Sequence, residues 1–227
     1  MLTKLKRTEY TQCQQCGLLY THGDPENFTE YYDWGKDKTK HYQTDYLTNP
    51  RTDAIGAALA GRMARLAQYS YVDKDVLEIG SSGGSFLRAV KKAGAKYILG
   101  IEISKDATFY AQQHGVPTIC ANFETWVPDG ALWDCIVTIH TIEHFVDPVN
   151  AFTKIHGLLK PGGVWITQHP DADVYPGVLF HVRDQVPREH LNIFDKRTIL
   201  KAIKGFDRFL YYQEDPGQSI SAFHKEE

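Results

Sequence analysis

Val76-Leu77-Glu78-Ile79-Gly80-Ser81-Ser82-Gly83-Gly84-Ser85-Phe86 decides the fold. An apolar run the length of a buried strand stops at a glycine, passes through small residues and re-enters an apolar pattern. Glycines there let the backbone approach a ligand closely. The helix expected after them presents unpaired N–H groups to negative charge. A second acid, Glu102, closes the next apolar run, Leu99-Gly100-Ile101-Glu102. In that place a carboxylate can grip two vicinal ribose hydroxyls. A dinucleotide loop would need glycine where Ser82 and Ser85 stand, so the G-x-G-x-x-G pattern fails. Glu78, just ahead of the loop, suits a cofactor that carries an ammonium group.

Working outward, apolar runs and helical patterns alternate, which predicts a mainly parallel sheet. Strands are expected at 76–79, 97–103, 117–120, 135–139 and 164–167. Helices are expected at 86–92, 105–114 and 148–159, with glycine stops at Gly94 and Gly115. Ahead of them, Ile55, Leu59, Met63 and Leu66 form one apolar stripe, on a helix expected to start at Asn49-Pro50. A helix over 196–204 capped by Asp195 follows, then strands at 208–212 and 220–224 around a Glu214-Asp215-Pro216-Gly217 turn. The expected fold is an α/β, Rossmann-like three-layer sandwich. Its seven-stranded sheet is mostly parallel and ends in a C-terminal antiparallel hairpin. Residues 49–227 read as that domain. Residues 1–48, rich in tyrosine and poor in aliphatics, read as a short, loop-rich N-terminal extension that could act as a lid.

Of the 227 residues 42% are hydrophobic, enough for a sizeable core. The net charge of −3 argues against a partner built of phosphate backbone. No apolar run approaches the roughly 18 residues of a spanning helix, and no secretory signal is visible at the start. Four cysteines with one Cys-x-x-Cys pair fit a reducing, cytoplasmic location. Cys120 and Cys135 lie in apolar stretches and are expected to be buried.

The loop segment Leu77-Glu78-Ile79-Gly80-Ser81-Ser82-Gly83-Gly84 resembles the first motif of class I S-adenosylmethionine-dependent methyltransferases, with Ser82 in place of the middle glycine. Residues 97–104 resemble the second motif. Trp133-Asp134-Cys135-Ile136-Val137, continued by Glu143-His144-Phe145 and Asp147-Pro148, resembles the fourth-strand segment. Leu158-Leu159-Lys160-Pro161-Gly162-Gly163 resembles the turn before strand five. The pieces occur in family order and cover about residues 49–224. The resemblance implies a methyltransferase with S-adenosylmethionine as cofactor. Glu78, Gly80, Ser82 and Gly84 would surround its methionine part and Glu102 its ribose. Ile103, Asn122 and Phe123 would lie at adenine, and His140 near the methionine end.

The acceptor half rests on histidines, which can take a proton near neutral pH. His144 follows strand four, His169 strand five, and His190 precedes the last helix. Glu143-His144 reads more readily as a structural helix start. Pro187-Arg188-Glu189-His190-Leu191-Asn192-Ile193-Phe194-Asp195 resembles a segment of the small-molecule and sugar methyltransferase branch. In its sugar C-methyltransferases a Glu-His pair is catalytic, so Glu189 would orient His190. The Pro-Pro motif of amino-methylating DNA enzymes and the Pro-Cys of cytosine C5 enzymes are both absent. The expected acceptor is a small molecule, most plausibly a sugar or nucleotide-linked sugar, with no nucleic acid or membrane partner and a homodimer left open. The alternatives are a methyltransferase acting on nucleic acid or protein, and a non-catalytic cofactor-binding subunit. A basic groove beside His140 would favour a macromolecular acceptor.

Cys13-Gln14-Gln15-Cys16-Gly17 looks like one zinc knuckle. Cys13 and Cys16 supply two ligands of the four a structural site needs. His22 and His41 fit no common finger spacing, and a vestigial half-site is favoured over bound zinc.

Overall fold

The alternation that makes residues 76–79 a strand also splits the core in two. Val76 faces one side of the sheet and Leu77 the other, as a period of two requires. The computed structural model describes residues 10–21, 47, 49, 51–173, 190–214 and 218–226. On one face Val76, Val137 and Val164 pack against Met63 of α1 (Thr52–Leu66) and against Phe86 and Leu87 of α2 (Ser85–Lys92). On the other face Leu77, Ile136 and Trp165 pack against Phe152 and Ile155 of α4 (Pro148–Leu158) and Ile199 of α5 (Lys196–Ala202). Helices on both sides of one sheet make three layers.

The strands are β3 (Asp75–Ile79), β4 (Tyr97–Glu102), β5 (Thr118–Cys120), β6 (Trp133–Ile139), β7 (Leu159–Pro170), β9 (Arg208–Glu214) and β10 (Gln218–His224). Helix α3 (Lys105–Gln113) joins β4 to β5. The sheet order is β5-β4-β3-β6-β7-β10-β9. Pairings from β5 through β7 are parallel, and β10 is antiparallel to both β7 and β9. The seven-stranded sheet and its terminal hairpin are as expected. The chain leaves β3 toward β4 and β5, then returns to the other side of β3 as β6. The C-terminal ends of β3 and β6 are therefore the topological switch point, where ligands bind in open α/β sheets.

Local chemistry explains most element ends. Asp195 caps α5 by accepting from Thr198 N at 2.6 Å, and the Thr198 hydroxyl accepts from Asp195 N at 2.8 Å. Ser104 caps α3 and Asp147 caps α4, each accepting from the backbone three residues on. Asn49 does not cap α1, whose first residue is Thr52. Its side-chain oxygen instead accepts from Arg51 N at 2.9 Å, so its preference for bonding its own backbone sets a turn before the helix. β7 is longer than the 164–167 expected. Its ladder on β6 begins at Leu159, breaks at a bulge, and resumes where Val164 meets Cys135. The Pro161-Gly162-Gly163 turn is absorbed into that bulge. Cys135 is buried, but Cys120 is exposed, because β5 is the sheet's edge strand.

A second, small sheet lies outside the main layers. β1 (Thr11–Gln12) and β2 (Leu19–Tyr20) form a hairpin whose second strand pairs with β8 (Asn192–Ile193). Residues far apart in sequence thus meet beside the switch point. Among the described residues no helix is long and apolar enough to cross a membrane.

Candidate active site

The loop after β3 turns through three left-handed residues. Gly80 has φ +74°, Ser82 +47° and Gly84 +76°. Serine in that region costs about 1–2 kcal/mol relative to its ordinary conformations. A Cβ at Gly80 would lie 2.4 Å from Thr141 Oγ1, so the loop after β3 packs directly on the loop after β6. Thr141 is held there by donating to the carbonyls of Ile79 at 3.1 Å and Ile139 at 3.0 Å.

Glu102, at the end of β4, accepts from Ser82 N and from Ser104 N, each at 2.8 Å. Burial raises its carboxyl above the ordinary range against the pull of those N–H groups. Glu78 is buried one strand away, and its Oε2 has no hydrogen-bond partner. Burial, and then Glu102, push its carboxyl well up, while Arg88 pulls the other way. A buried carboxyl without a partner is a costly arrangement that a cationic group would relieve. Ile103 is half-buried and Phe123 buried. Asn122 Oδ1 already accepts from Glu124 N at 2.9 Å.

The end of β6 carries the second constellation. His140 sits at φ +48° with its side chain 41% exposed. Its Nδ1 lies 3.4 Å from Glu143 Oε1. Glu143 is 1% exposed, and neither carboxylate oxygen has an aligned hydrogen-bond donor. His190 Nε2 lies 4.0 Å from the same Oε1, and the His190 and His144 rings meet edge to face with centroids 4.9 Å apart. Burial works to raise the Glu143 carboxyl. His140, His144 and His190 outweigh it and bring it down to about 2.

Backbone pairing delivers His190 to this place. Leu191 N donates to Glu143 O at 2.7 Å, and Asn192 Nδ2 donates to Phe145 O at 2.7 Å. From the other side, Thr21 N donates to Leu191 O at 2.9 Å and the Tyr10 hydroxyl to His190 O at 2.6 Å. The structure thus gathers His140, Glu143, His144 and His190. It holds Glu78, Gly80, Ser82, Gly84 and Glu102 on the neighbouring strands.

Residues 52–207 match the family model of a methyltransferase domain, which is more than half of the chain. The chain belongs to the S-adenosylmethionine-dependent methyltransferase family. A ubiquinone biosynthesis O-methyltransferase of Coxiella burnetii is 28% identical over 102 residues, 42% of this chain and 43% of that protein. This chain therefore spans less than half the length of that relative. A methyltransferase from Thermotoga maritima, described as a possible histamine N-methyltransferase, shares the fold with a TM-score of 0.64. It is 16% identical, over 83% of this chain and 96% of that one. The N-methyltransferase NodS of Bradyrhizobium japonicum, solved with S-adenosylhomocysteine, gives a TM-score of 0.61 and 16% identity over 84% and 100%.

The methyltransferase's residues fit S-adenosylmethionine on two observations. The unpartnered Glu78 oxygen is buried beside the loop, as a cofactor with an ammonium group requires. Glu102 is fixed at the end of β4 by two backbone N–H groups, facing the same loop.

His169 is a buried neighbour of this constellation rather than part of its exposed face. It is fully buried in β7, its Nδ1 pairs with Pro170 O at 2.8 Å, and burial lowers its pKa. Such a ring is closed to an acceptor arriving from solvent. Glu189, expected to orient His190, lies outside the described residues. Glu143 is the carboxylate that faces His190. The sequence singles out Glu143-His144 but not this contact, which spans 47 residues and depends on the Leu191–Glu143 pairing. Tyr10 and Thr141 were missed for the same reason.

Cys13 and Cys16 line a cleft of 280 Å³ together with Gly17, Arg197 and Lys201. The N–H groups of Cys16, Gln15 and Gly17 turn toward Cys13 and lower its thiol pKa, Cys16 most. Among the described residues no third His, Cys, Asp or Glu joins the pair as a ligand. His22 and His41 lie outside them.

Proposed function

We propose that this methyltransferase moves a methyl group from S-adenosylmethionine to a hydroxyl of a small-molecule acceptor, a sugar or nucleotide-linked sugar being the first class to test. The observation that carries this reading is the buried Glu143 carboxylate set among imidazoles at the end of β6. It stands one strand from the cofactor loop. Methylation of a hydroxyl requires a proton acceptor, and an exposed imidazole braced by a buried carboxylate supplies one.

In this reading Glu78 meets the ammonium end of the cofactor, the backbone of residues 80–84 its middle, and Glu102 the ribose. Ile103 and Phe123 flank adenine. When bound, the cofactor supplies a methyl group already activated on a cationic sulfur, so the protein's work is chiefly alignment. His140 takes the acceptor's proton, and Glu143 positions the ring and stabilises its charge once protonated. The hairpin of β1 and β2 holds β8, and so His190, against the acceptor side. The O-methyltransferase name of the Coxiella burnetii relative supports an oxygen acceptor.

The test is formation of S-adenosylhomocysteine with a panel of sugars, nucleotide-linked sugars, hydroxylated aromatics, amines, RNA and protein. Turnover with a hydroxyl-bearing small molecule, reduced about 10²–10⁴-fold in His140→Asn, is expected. Turnover confined to RNA, protein or amines would overturn the reading. So would full activity of His140→Asn.

A further inference from the structure

A carboxylate removed from water costs several kcal/mol unless it is paired and hydrogen-bonded. Glu143 is removed from water, and neither of its carboxylate oxygens has an aligned donor. Its backbone carbonyl accepts from Leu191 N. The side chain is therefore held in place by the fold while its charge is left to whatever gathers around it.

What gathers is imidazole. One ligand atom each from Glu143, His144 and His190 lies within 4.8 Å of the others. Two ring nitrogens and one carboxylate oxygen form the donor set of open divalent-metal sites, in which the protein fills three positions and leaves the rest for water or substrate. Ligand atoms bonded at about 2.0–2.2 Å stand roughly 3–4 Å from one another, so modest side-chain rotation closes the set. The frame around it is rigid. Glu143 and His144 share one 3-10 turn (Ile142–His144), and His190 is pinned through its own carbonyl and through Leu191.

We propose that Glu143, His144 and His190 bind one divalent transition-metal ion, of the Zn2+ and Mn2+ class, with coordination positions open toward the acceptor side of the switch point. Such an ion selects acceptors with two adjacent oxygens, a vicinal diol or a hydroxyl beside a carbonyl, because both can occupy its open positions. The ion acidifies the bound hydroxyl, whose proton passes to His140. His140 is not a ligand, and its Nδ1, 3.4 Å from Glu143 Oε1, orients the carboxylate. Only the acceptor class rests on the methyl-transfer reading; the metal site stands on the cluster alone.

The test is isothermal titration of the chelator-treated full chain with ZnCl2 and with MnCl2, and with S-adenosylhomocysteine in parallel to report folding. One equivalent of metal is expected per chain. Glu143→Gln and His190→Ala should each weaken it at least about 10-fold while S-adenosylhomocysteine still binds. His144→Ala, at a half-buried position, serves if Glu143→Gln fails to fold. The double variant Cys13→Ser/Cys16→Ser must retain the site, and a Co2+-loaded sample must lack thiolate charge-transfer absorption. No metal binding in the wild type overturns the proposal. So does binding that vanishes with the cysteines and survives His190→Ala. Loss of S-adenosylhomocysteine binding in the wild type would instead strike the functional reading.

Discussion

The two edges of the switch point are built in opposite ways. The proposed cofactor edge is local: Glu78, the loop of residues 80–84 and Glu102 lie on adjacent strands close in sequence. They are tied by Ser82 N donating to Glu102. The proposed acceptor edge is assembled from far apart. Tyr10, Glu143 and His190 come from an N-terminal hairpin, the turn after β6 and the approach to β8. The first edge is specified by short-range sequence and can stay constant across a family. The second depends on long-range pairings, so it can be rebuilt for a new acceptor without disturbing the first.

The largest expected effect comes where the edges touch. Gly80→Val would drive a side chain into Thr141, itself tied to β3 and β6, at a φ of +74°. Calorimetric affinity for S-adenosylhomocysteine should fall by about 100-fold or more, or roughly 2.7 kcal/mol. Unchanged affinity would break the claim that the two loops share one packed boundary. Next comes Glu102→Ala, which removes the acceptor of Ser82 N and Ser104 N. At about 1.5–3 kcal/mol for hydrogen bonds to a charged group, S-adenosylhomocysteine binding should weaken about 10–100-fold. Turnover at saturating cofactor should hold within about 3-fold, which sharpens the separation of the edges.

Tyr10→Phe acts on the acceptor edge alone. It removes the hydrogen bond to His190 O, worth about 1 kcal/mol, so turnover should drop by about 5-fold with cofactor affinity unchanged. The smallest effect is on stability. His169 is buried and its pKa is lowered from 6.5, so in that window the unfolded chain binds more protons than the folded one. Its contribution is complete above pH 6.5 and declines as pH falls toward the depressed value. Denaturant titrations between pH 7.5 and pH 5 should show a shallower loss in His169→Gln.

The same division governs what the sequence reveals. Sheet, hairpin and the glycine loop between β3 and α2 were legible because periodicity and glycine spacing act over a few residues. Asp195 caps its helix where the short-range rules placed it. Asn49 misled by the same rules, since an asparagine can bond its own backbone as readily as a helix end. Glu143-His144 read as a helix start and lies in the 3-10 turn Ile142–His144, but the contacts of Glu143 with His190 and Leu191 were not legible because those partners are distant in sequence. Strand β7 ran longer than its apolar stretch because the β6 ladder carries it across a proline-glycine bulge. Cys120 read as buried because an apolar run does not say whether its strand lies at a sheet edge.

The most direct measurement is a paired one on Glu143→Gln: S-adenosylhomocysteine affinity by calorimetry and S-adenosylhomocysteine formation with the acceptor found by the panel, from one preparation. If Glu143 belongs to the acceptor edge, affinity should stay within about 2-fold while turnover falls at least about 100-fold. Affinity and turnover falling together, or turnover left intact, would contradict the two-edge account.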